Sequence, residues 1–237
     1  MALLRTLDEV VEAVRAVEVG RSRRATDAGT RTLVGLAGAP GSGKSTLGEA
    51  LVARLNLGAP AAAGAGPTAP ATAPAAAPAR AQLVSMDGFH LPQARLVELG
   101  RRDRMGAPDT FDVDGFLALL RLLRSAPGAV EAPGFDRELE EPAPGAVRIG
   151  RERSLVVVEG NYLLHDAGGW GAARPLLDLT LFVELERDIR LTRLMARHER
   201  FGKTAAEARA WTLGPDEANA RLIERTRGRA DHEIRLA

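Results

Sequence analysis

The chain has 237 residues, enough to bury one α/β core, and its 32 Lys and Arg against 31 Asp and Glu leave a net charge of only +1. That balance, with arginines interleaved among carboxylates, gives no electrostatic reason to expect a nucleic-acid partner or an anionic membrane surface. The absence of cysteine excludes disulfides, thiolate zinc sites and thiol catalysis. The opening MALLRTLDEVVEAV has no basic stretch and breaks its apolar run at Asp8 and Glu9. Neither a signal peptide nor a membrane span is predicted, so a cytoplasmic location is the expectation. Lys44 and Lys203 are the only lysines among 32 basic side chains, so a lysine in this chain asks for a specific reason.

The first predicted element is a helix. Thr6 and Glu9 suit a capping box, Leu7, Val10, Val11, Val14 and Val17 recur at helical spacing, and Gly20 is expected to end it. Thr32 to Ala37 then reads as a buried strand, followed by a glycine-rich turn and a helix from Lys44 to Leu55. The stretch 58–80, opening GAPAAAGAGPTAPATAPAAAPA, breaks its alanines with proline too often for a helix to propagate and has little apolar bulk to bury; it reads as a disordered insertion acting as a spacer. Strands ending at Asp87, Glu159 and Glu184 follow, with near-continuous apolar runs that suit a parallel sheet covered on both faces. Helical patterns lie at Val113 to Arg124, Arg187 to Glu199 and Ala205 to Thr212. The segment Ala129 to Ile149 reads as an irregular hairpin or flap, and His232 to Leu236 as a last strand. Alternating strands and helices point to a doubly wound α/β fold.

Gly38-Ala39-Pro40-Gly41-Ser42-Gly43-Lys44-Ser45 fits G-x-x-x-x-G-K-[ST] directly between a strand and a helix. Glycines let the loop wrap so that backbone N–H groups of Gly38, Ala39, Gly41, Ser42, Gly43, Lys44, Ser45 and Thr46 cradle phosphate oxygens at the positive end of the following helix. Lys44 is placed to reach the β/γ-phosphates of ATP, and the Ser45 hydroxyl to ligate Mg²⁺. A GTPase reading lacks its N-K-x-D motif. A kinase of small molecules needs a carboxylate at the acceptor hydroxyl and arginines around the phosphoryl group. Asp87 and Glu159, at the carboxyl ends of two strands, suit a base and a holder of Mg²⁺. Arg190, Arg193 and Arg197 share one helix face, with Arg193 and Arg197 favoured for phosphate contact. Trp170 and Trp211 are expected to pack, and Asn219, in a loop, to touch adenine.

Together, Asp87-Gly88-Phe89-His90-Leu91-Pro92, Arg104-Met105-Gly106-Ala107-Pro108-Asp109-Thr110-Phe111-Asp112, Phe135-Asp136-Arg137 and Val158-Glu159-Gly160-Asn161-Tyr162 resemble the uridine kinase, pantothenate kinase and phosphoribulokinase group. The resemblance runs from Leu33 to Ile234, is closest to bacterial nucleoside/nucleotide kinase-family proteins with a fructose-kinase-like branch, and implies a P-loop kinase with strand order 2-3-1-4-5 and a lid helix. It implies Asp87 as catalytic base, with Glu159 assisting Mg²⁺, and His90, Arg104, Phe135, Asp136, Arg137 and Tyr162 around the acceptor. Two departures, His90 where uridine kinases tend to place tyrosine and Met105-Gly106-Ala107 where they carry an acidic ribose contact, weaken nucleoside specificity.

The resulting expectation is an N-terminal helix and connector (1–30) and a kinase domain (31–237). The enzyme would use ATP and Mg²⁺ to phosphorylate an alcohol of a sugar, nucleoside or pantothenate-like molecule. No nucleic acid or membrane is expected as partner, and a homodimer is the assembly to test. The competing reading is a P-loop ATPase that acts as a switch without an acceptor.

Overall fold

A computed structural model describes residues 1–24, 31–57 and 80–235. The Ala/Pro-rich insertion and the connector 25–30 lie outside the described residues. The elements run β1 (Ala2–Leu4), α1 (Leu7–Arg24), β2 (Thr32–Ala37), α2 (Lys44–Asn56) and β3 (Ala81–Ser85), then a 3₁₀ turn (Met86–Phe89), α3 (Gln93–Glu98) and α4 (Val113–Ser125). A hairpin of β4 (Val130–Asp136) and β5 (Glu141–Ile149) follows, then β6 (Leu155–Gly160), β7 (Leu179–Val183), α5 (Arg187–Arg200) and α6 (Ala205–Trp211). A π-helical turn (Thr212–Asp216), α7 (Glu217–Glu224) and β8 (His232–Ile234) complete the chain.

Six strands form one sheet in the order β1-β8-β7-β2-β6-β3, and every neighbouring pair is parallel. Numbered from β2, the strands β2, β3, β6, β7 and β8 run 2-3-1-4-5 across the sheet, as expected. β1 is an addition, a short edge strand paired with β8 that three residues of weak pattern did not announce. Strand periodicity splits the apolar residues between the two faces. Val34, Leu36, Val157 and Leu181 meet Val10, Val11 and Val14 of α1 and Leu47, Leu51 and Leu55 of α2. Leu33, Val156, Val158 and Phe182 meet Phe116, Leu120 and Leu123 of α4. Each such fully buried aliphatic or aromatic side chain contributes about 1.5–3 kcal/mol of transfer free energy.

The capping box forms, with Thr6 Oγ1 accepting from Glu9 N at 3.2 Å and Glu9 Oε2 from Thr6 N at 3.3 Å. The helix does not stop at Gly20 but runs on to Arg24. A helical glycine costs about 1 kcal/mol against alanine, less than the buried valine stripe supplies. The predicted flap is a two-stranded antiparallel hairpin with a bulge between Ala132 and Gly134, standing apart from the main sheet. Among the described residues no helix is long and apolar enough to cross a membrane.

Candidate active site

The carboxyl ends of β2, β6 and β3, three neighbours in the sheet, open into one cavity of about 1110 Å³. The loop leaving β2 turns through Gly41 (φ 78°) and Gly43 (φ 90°), backbone conformations that side chains with a Cβ rarely adopt, and α2 begins at Lys44. A Cβ on Gly41 would also stand 2.7 Å from Leu194 Cγ on α5, so the loop and the arginine-bearing helix are packed without a gap. Lys44 is 7% exposed, and its Nζ donates to the carbonyls of Gly38 (2.9 Å) and Ala39 (3.0 Å). Burial lowers its pKa to about 8, against the raising influence of Glu159 and Asp87.

Glu159, at the end of β6 and 4% exposed, accepts hydrogen bonds from Ser85 Oγ (2.5 Å) and Ser45 Oγ (3.2 Å). Burial and the nearby Asp87 push its carboxyl up, and Lys44 and the two hydroxyls work the other way. Asp87 is not on the strand. β3 ends at Ser85, whose Oγ accepts from Asp87 N at 3.2 Å and starts the 3₁₀ turn that turns the carboxylate toward the cavity. Burial opposes ionisation of Asp87, but His90, Arg137, Lys44 and Arg197 together hold its carboxyl below the ordinary range. Burial lowers His90 itself, so the arginines and Lys44 sustain the Asp87 charge at neutral pH.

The hairpin is fitted to this turn. A Cβ on Gly88 would fall 2.2 Å from Pro133 O, so only glycine lets β4 approach. That approach brings Arg137 Nη2 to 3.0 Å from Asp87 Oδ2. His90 Nδ1 lies 2.8 Å from the Asp87 carbonyl oxygen, and its ring stacks between Phe111 (4.0 Å) and Phe135 (4.8 Å). Across the cavity, the arginines of α5 divide. Arg190, 2% exposed, pairs with Glu217 and faces away from the cavity, whereas Arg193 and Arg197 line it. A Cβ on Gly43 would stand 3.5 Å from Arg193 Nη1, which puts that guanidinium over the phosphate loop.

Thus Lys44, Ser45, Thr46, Asp87, His90, Phe135, Arg137, Glu159, Arg193 and Arg197 are brought together at one cavity. Three expected acceptor residues are not. Arg104 is held at the surface by Asp109, with Nη2 to Oδ2 at 2.7 Å. Asp136 accepts from Glu138 N and Leu139 N and closes the hairpin turn. Tyr162 is buried against Phe111 and Trp170 and donates its hydroxyl to Gly106 O at 2.5 Å. Local polar partners in each case satisfy the side chain before it can reach the cavity.

Other residues reach it, of which only Asn219 carried an expected contact, to adenine. Lys203 lines the cavity with Nζ 3.5 Å from Glu140 Oε1 and 5.2 Å from the Trp211 ring centroid. Its rarity was the signal. Trp211 therefore forms cavity wall, while Trp170 packs in the core as expected. Asn219 is on α7 rather than in a loop, and faces Gly106. Asn161 lies inside a motif quoted for the resemblance.

Among the described residues, no cluster of three or more His, Asp or Glu side chains forms a metal cage. The Ser45 and Glu159 oxygens are instead a sparse hard-donor pair beside the phosphate loop. That suits Mg²⁺, which keeps most of its shell for water and nucleotide phosphates.

The chain is similar to known kinases and kinase-like proteins. The chain is 36% identical over 154 residues to the "ATP-dependent kinase-like protein notR'" of Aspergillus versicolor, covering 60% of this chain and 88% of that protein. It is 31% identical over 204 residues to a "putative uridine kinase" of Schizosaccharomyces pombe, covering 83% and 76% of the two chains. The crystal structure of a "putative fructose transport system kinase" from Silicibacter sp. TM1040 superposes with a TM-score of 0.76 at 34% identity, over 97% of this chain and 99% of that one. With the matching family model spanning residues 33–232, the chain belongs to the Phosphoribulokinase / Uridine kinase family.

Proposed function

We propose that this kinase transfers the γ-phosphoryl group of ATP to a hydroxyl of a small molecule, with Asp87 as general base. The observation that carries this reading is the meeting of Lys44, Glu159 and Asp87 at the ends of three adjacent parallel strands, facing Arg137, Arg193 and Arg197. The relatives named for uridine and fructose, both alcohols, support a hydroxyl acceptor.

In this mechanism the loop N–H groups and the amino end of α2 hold the β- and γ-phosphates, and Lys44 exchanges the Gly38 and Ala39 carbonyls for phosphate oxygens. Ser45 and Glu159 would hold Mg²⁺, which neutralises phosphate charge when bound. Asp87, kept ionised by its cations, accepts the proton of the acceptor hydroxyl as that oxygen bonds to phosphorus and the bond to ADP breaks. Arg193 and Arg197 stabilise charge on the transferring group at no reorganisation cost, because α5 is already packed on the loop.

The test is acceptor-dependent ADP release. Asp87→Asn is expected to lower turnover about 10²–10⁴-fold while ATP binding is retained. Equal basal hydrolysis with and without every acceptor in a panel of sugars, nucleosides and pantothenate would refute the reading.

A further inference from the structure

Among the described residues, Glu140 is the one non-glycine residue with a positive φ, at 52°. A residue with a Cβ is strained in that left-handed conformation and stays there only where its surroundings hold it. Glu140 ends the turn between β4 and β5 and lines the cavity. Its carboxylate is shared between two cations: Oε2 accepts from Arg102 Nη2, and Oε1 stands 3.5 Å from Lys203 Nζ. Arg102 Nε also donates to Gln93 Oε1 (3.2 Å), and Gln93 Nε2 returns to the turn at Leu139 O (2.6 Å). That flank of the turn is thereby anchored to the start of α3.

The other flank reaches a different wall. Lys203 lies in the loop between α6 and α5, the helix that carries Arg193 and Arg197. Its backbone is fixed, with N donating to His198 O (3.1 Å) and the neighbouring Thr204 capping α6. Its Nζ sits 5.2 Å from the Trp211 ring centroid. A compact ammonium fits between a carboxylate and a ring where a guanidinium fork needs more room, which gives the second lysine of the chain its reason. The same turn also carries Arg137, whose Nη2 is 3.0 Å from Asp87 Oδ2. Asp136 closes the turn on Glu138 N (2.9 Å) and Leu139 N (3.0 Å). Four residues, Arg137 to Glu140, therefore touch the carboxylate at one end and the loop after the arginine helix at the other.

We propose that Glu140 is a positioning residue: its pairing with Lys203 ties the α5–α6 loop to the turn that holds Arg137 on Asp87, so that the two walls of the cavity close as one unit. This rests on the kinase reading above and adds to it how the site discriminates against water. Water can take the acceptor's place, its oxygen bonding to the γ-phosphorus while ADP leaves and its proton passes to Asp87. With the walls tied, Asp87 faces a closed cavity from which water is excluded; with the tie cut, the walls move separately and water competes. The pair is partly exposed, so its effect is modest.

Glu140→Gln, Lys203→Met and the double variant test the tie as a cycle. In the ligand-free protein, Glu140→Gln should shift the emission of Trp211 through the release of Lys203, with buried Trp170 as constant background. ADP release should then be measured without acceptor and with the member of the sugar, nucleoside and pantothenate panel that stimulates it most. The acceptor-independent share should rise about two- to fivefold in each single variant, with ATP KM changed less than twofold. The double variant should match the singles rather than multiply them. Glu140→Gly takes up φ 52° without strain and should still show the raised share. Wild-type behaviour in Glu140→Gly overturns the proposal by reducing Glu140 to a turn former. So does an unchanged share in both single variants, or a multiplied effect in the double. If no acceptor stimulates turnover, the kinase reading falls and the emission cycle alone decides the tie. A shift in Glu140→Gln that vanishes in the Lys203→Met background keeps it, whereas no shift, or one that persists there, removes it.

Discussion

The two ends of the cavity are built by different means. At the proposed phosphate end, a contiguous run of residues would supply most of the ligands, largely through backbone N–H groups, and the side chains it adds (Lys44, Ser45) are fixed by the first turn of α2. At the acceptor end, each wall comes from a different part of the chain: the turn after β3, the hairpin, the Met105–Gly106 loop, α6 and α7. A site made from one loop is a local property of sequence, whereas a site made from five segments depends on every contact that aligns them. The phosphate end should therefore fail by chemistry and the acceptor end by misalignment.

The largest effect expected is at the phosphate end. Lys44→Met should reduce turnover by about 10³-fold, since the charge facing the transferring phosphoryl is lost. It should not destabilise the ligand-free protein. Lys44 is depressed to about 8, so between that value and 10.5 the unfolded chain binds more protons and stability rises with pH. Removing the buried ammonium relieves that cost, by up to about 3 kcal/mol at neutral pH. A lower thermal midpoint for Lys44→Met would break this account.

The arginines of α5 provide the cleanest contrast. Arg197→Ala should lower turnover by about 10²-fold with stability nearly unchanged, as for loss of one transition-state donor. Arg190→Ala removes one of the two arginines on the buried Glu217, leaving Arg187 Nη2 at 2.8 Å from Oε2, and should cost about 1.5–3 kcal/mol by denaturant titration, whatever it does to rate. An Arg190 variant with native stability would show that the helix face is not divided as described.

Gly88→Ala tests alignment at the acceptor end. The new Cβ meets a backbone carbonyl at 2.2 Å that cannot yield as a flexible side chain would. The hairpin must shift, costing about 1–3 kcal/mol and moving Arg137 away from Asp87. Acceptor KM should rise severalfold while ATP KM stays within twofold. An effect on ATP alone would show that the two ends are not separable.

The smallest effects are in the pH profile. The ATP limb of kcat/KM should fall as pH rises through about 8, where free Lys44 loses its proton, and binding there should be accompanied by proton uptake in calorimetry across buffers of different ionisation enthalpy. On the acid side, Glu159 is raised, so activity should fall at a pH above the ordinary carboxylate range rather than within it. Glu159→Gln should remove that acid limb.

Much of the scaffold was legible because its signals are local. Continuous apolar runs gave β2, β6 and β7, and helix periodicity placed α4 and α5 to within a residue or so. β1 was not legible, because three residues acquire strand geometry only by pairing with β8, which follows more than two hundred residues later. Gly20 misled for the opposite reason, since a local helix-stopping signal was outweighed by packing of the valine stripe on the sheet. In the site, the phosphate loop, Asp87 and Glu159 could be picked out because their meaning comes from position at strand ends. Arg104, Asp136 and Tyr162 could not be sorted from His90, Phe135 and Arg137 by sequence, because all six lie in the same motifs and differ only in their nearest polar partner.

The sequence by itself therefore determined the proposed nucleotide end: a glycine-rich loop between a buried strand and a helix is where phosphates would bind, and Lys44 stands where their charge would be met. Only the tertiary structure decided which side chains of the remaining motifs face the cavity. Asn219 was singled out in the sequence, but only the fold puts it on α7 facing Gly106, and brings it to the same cavity as Asn161.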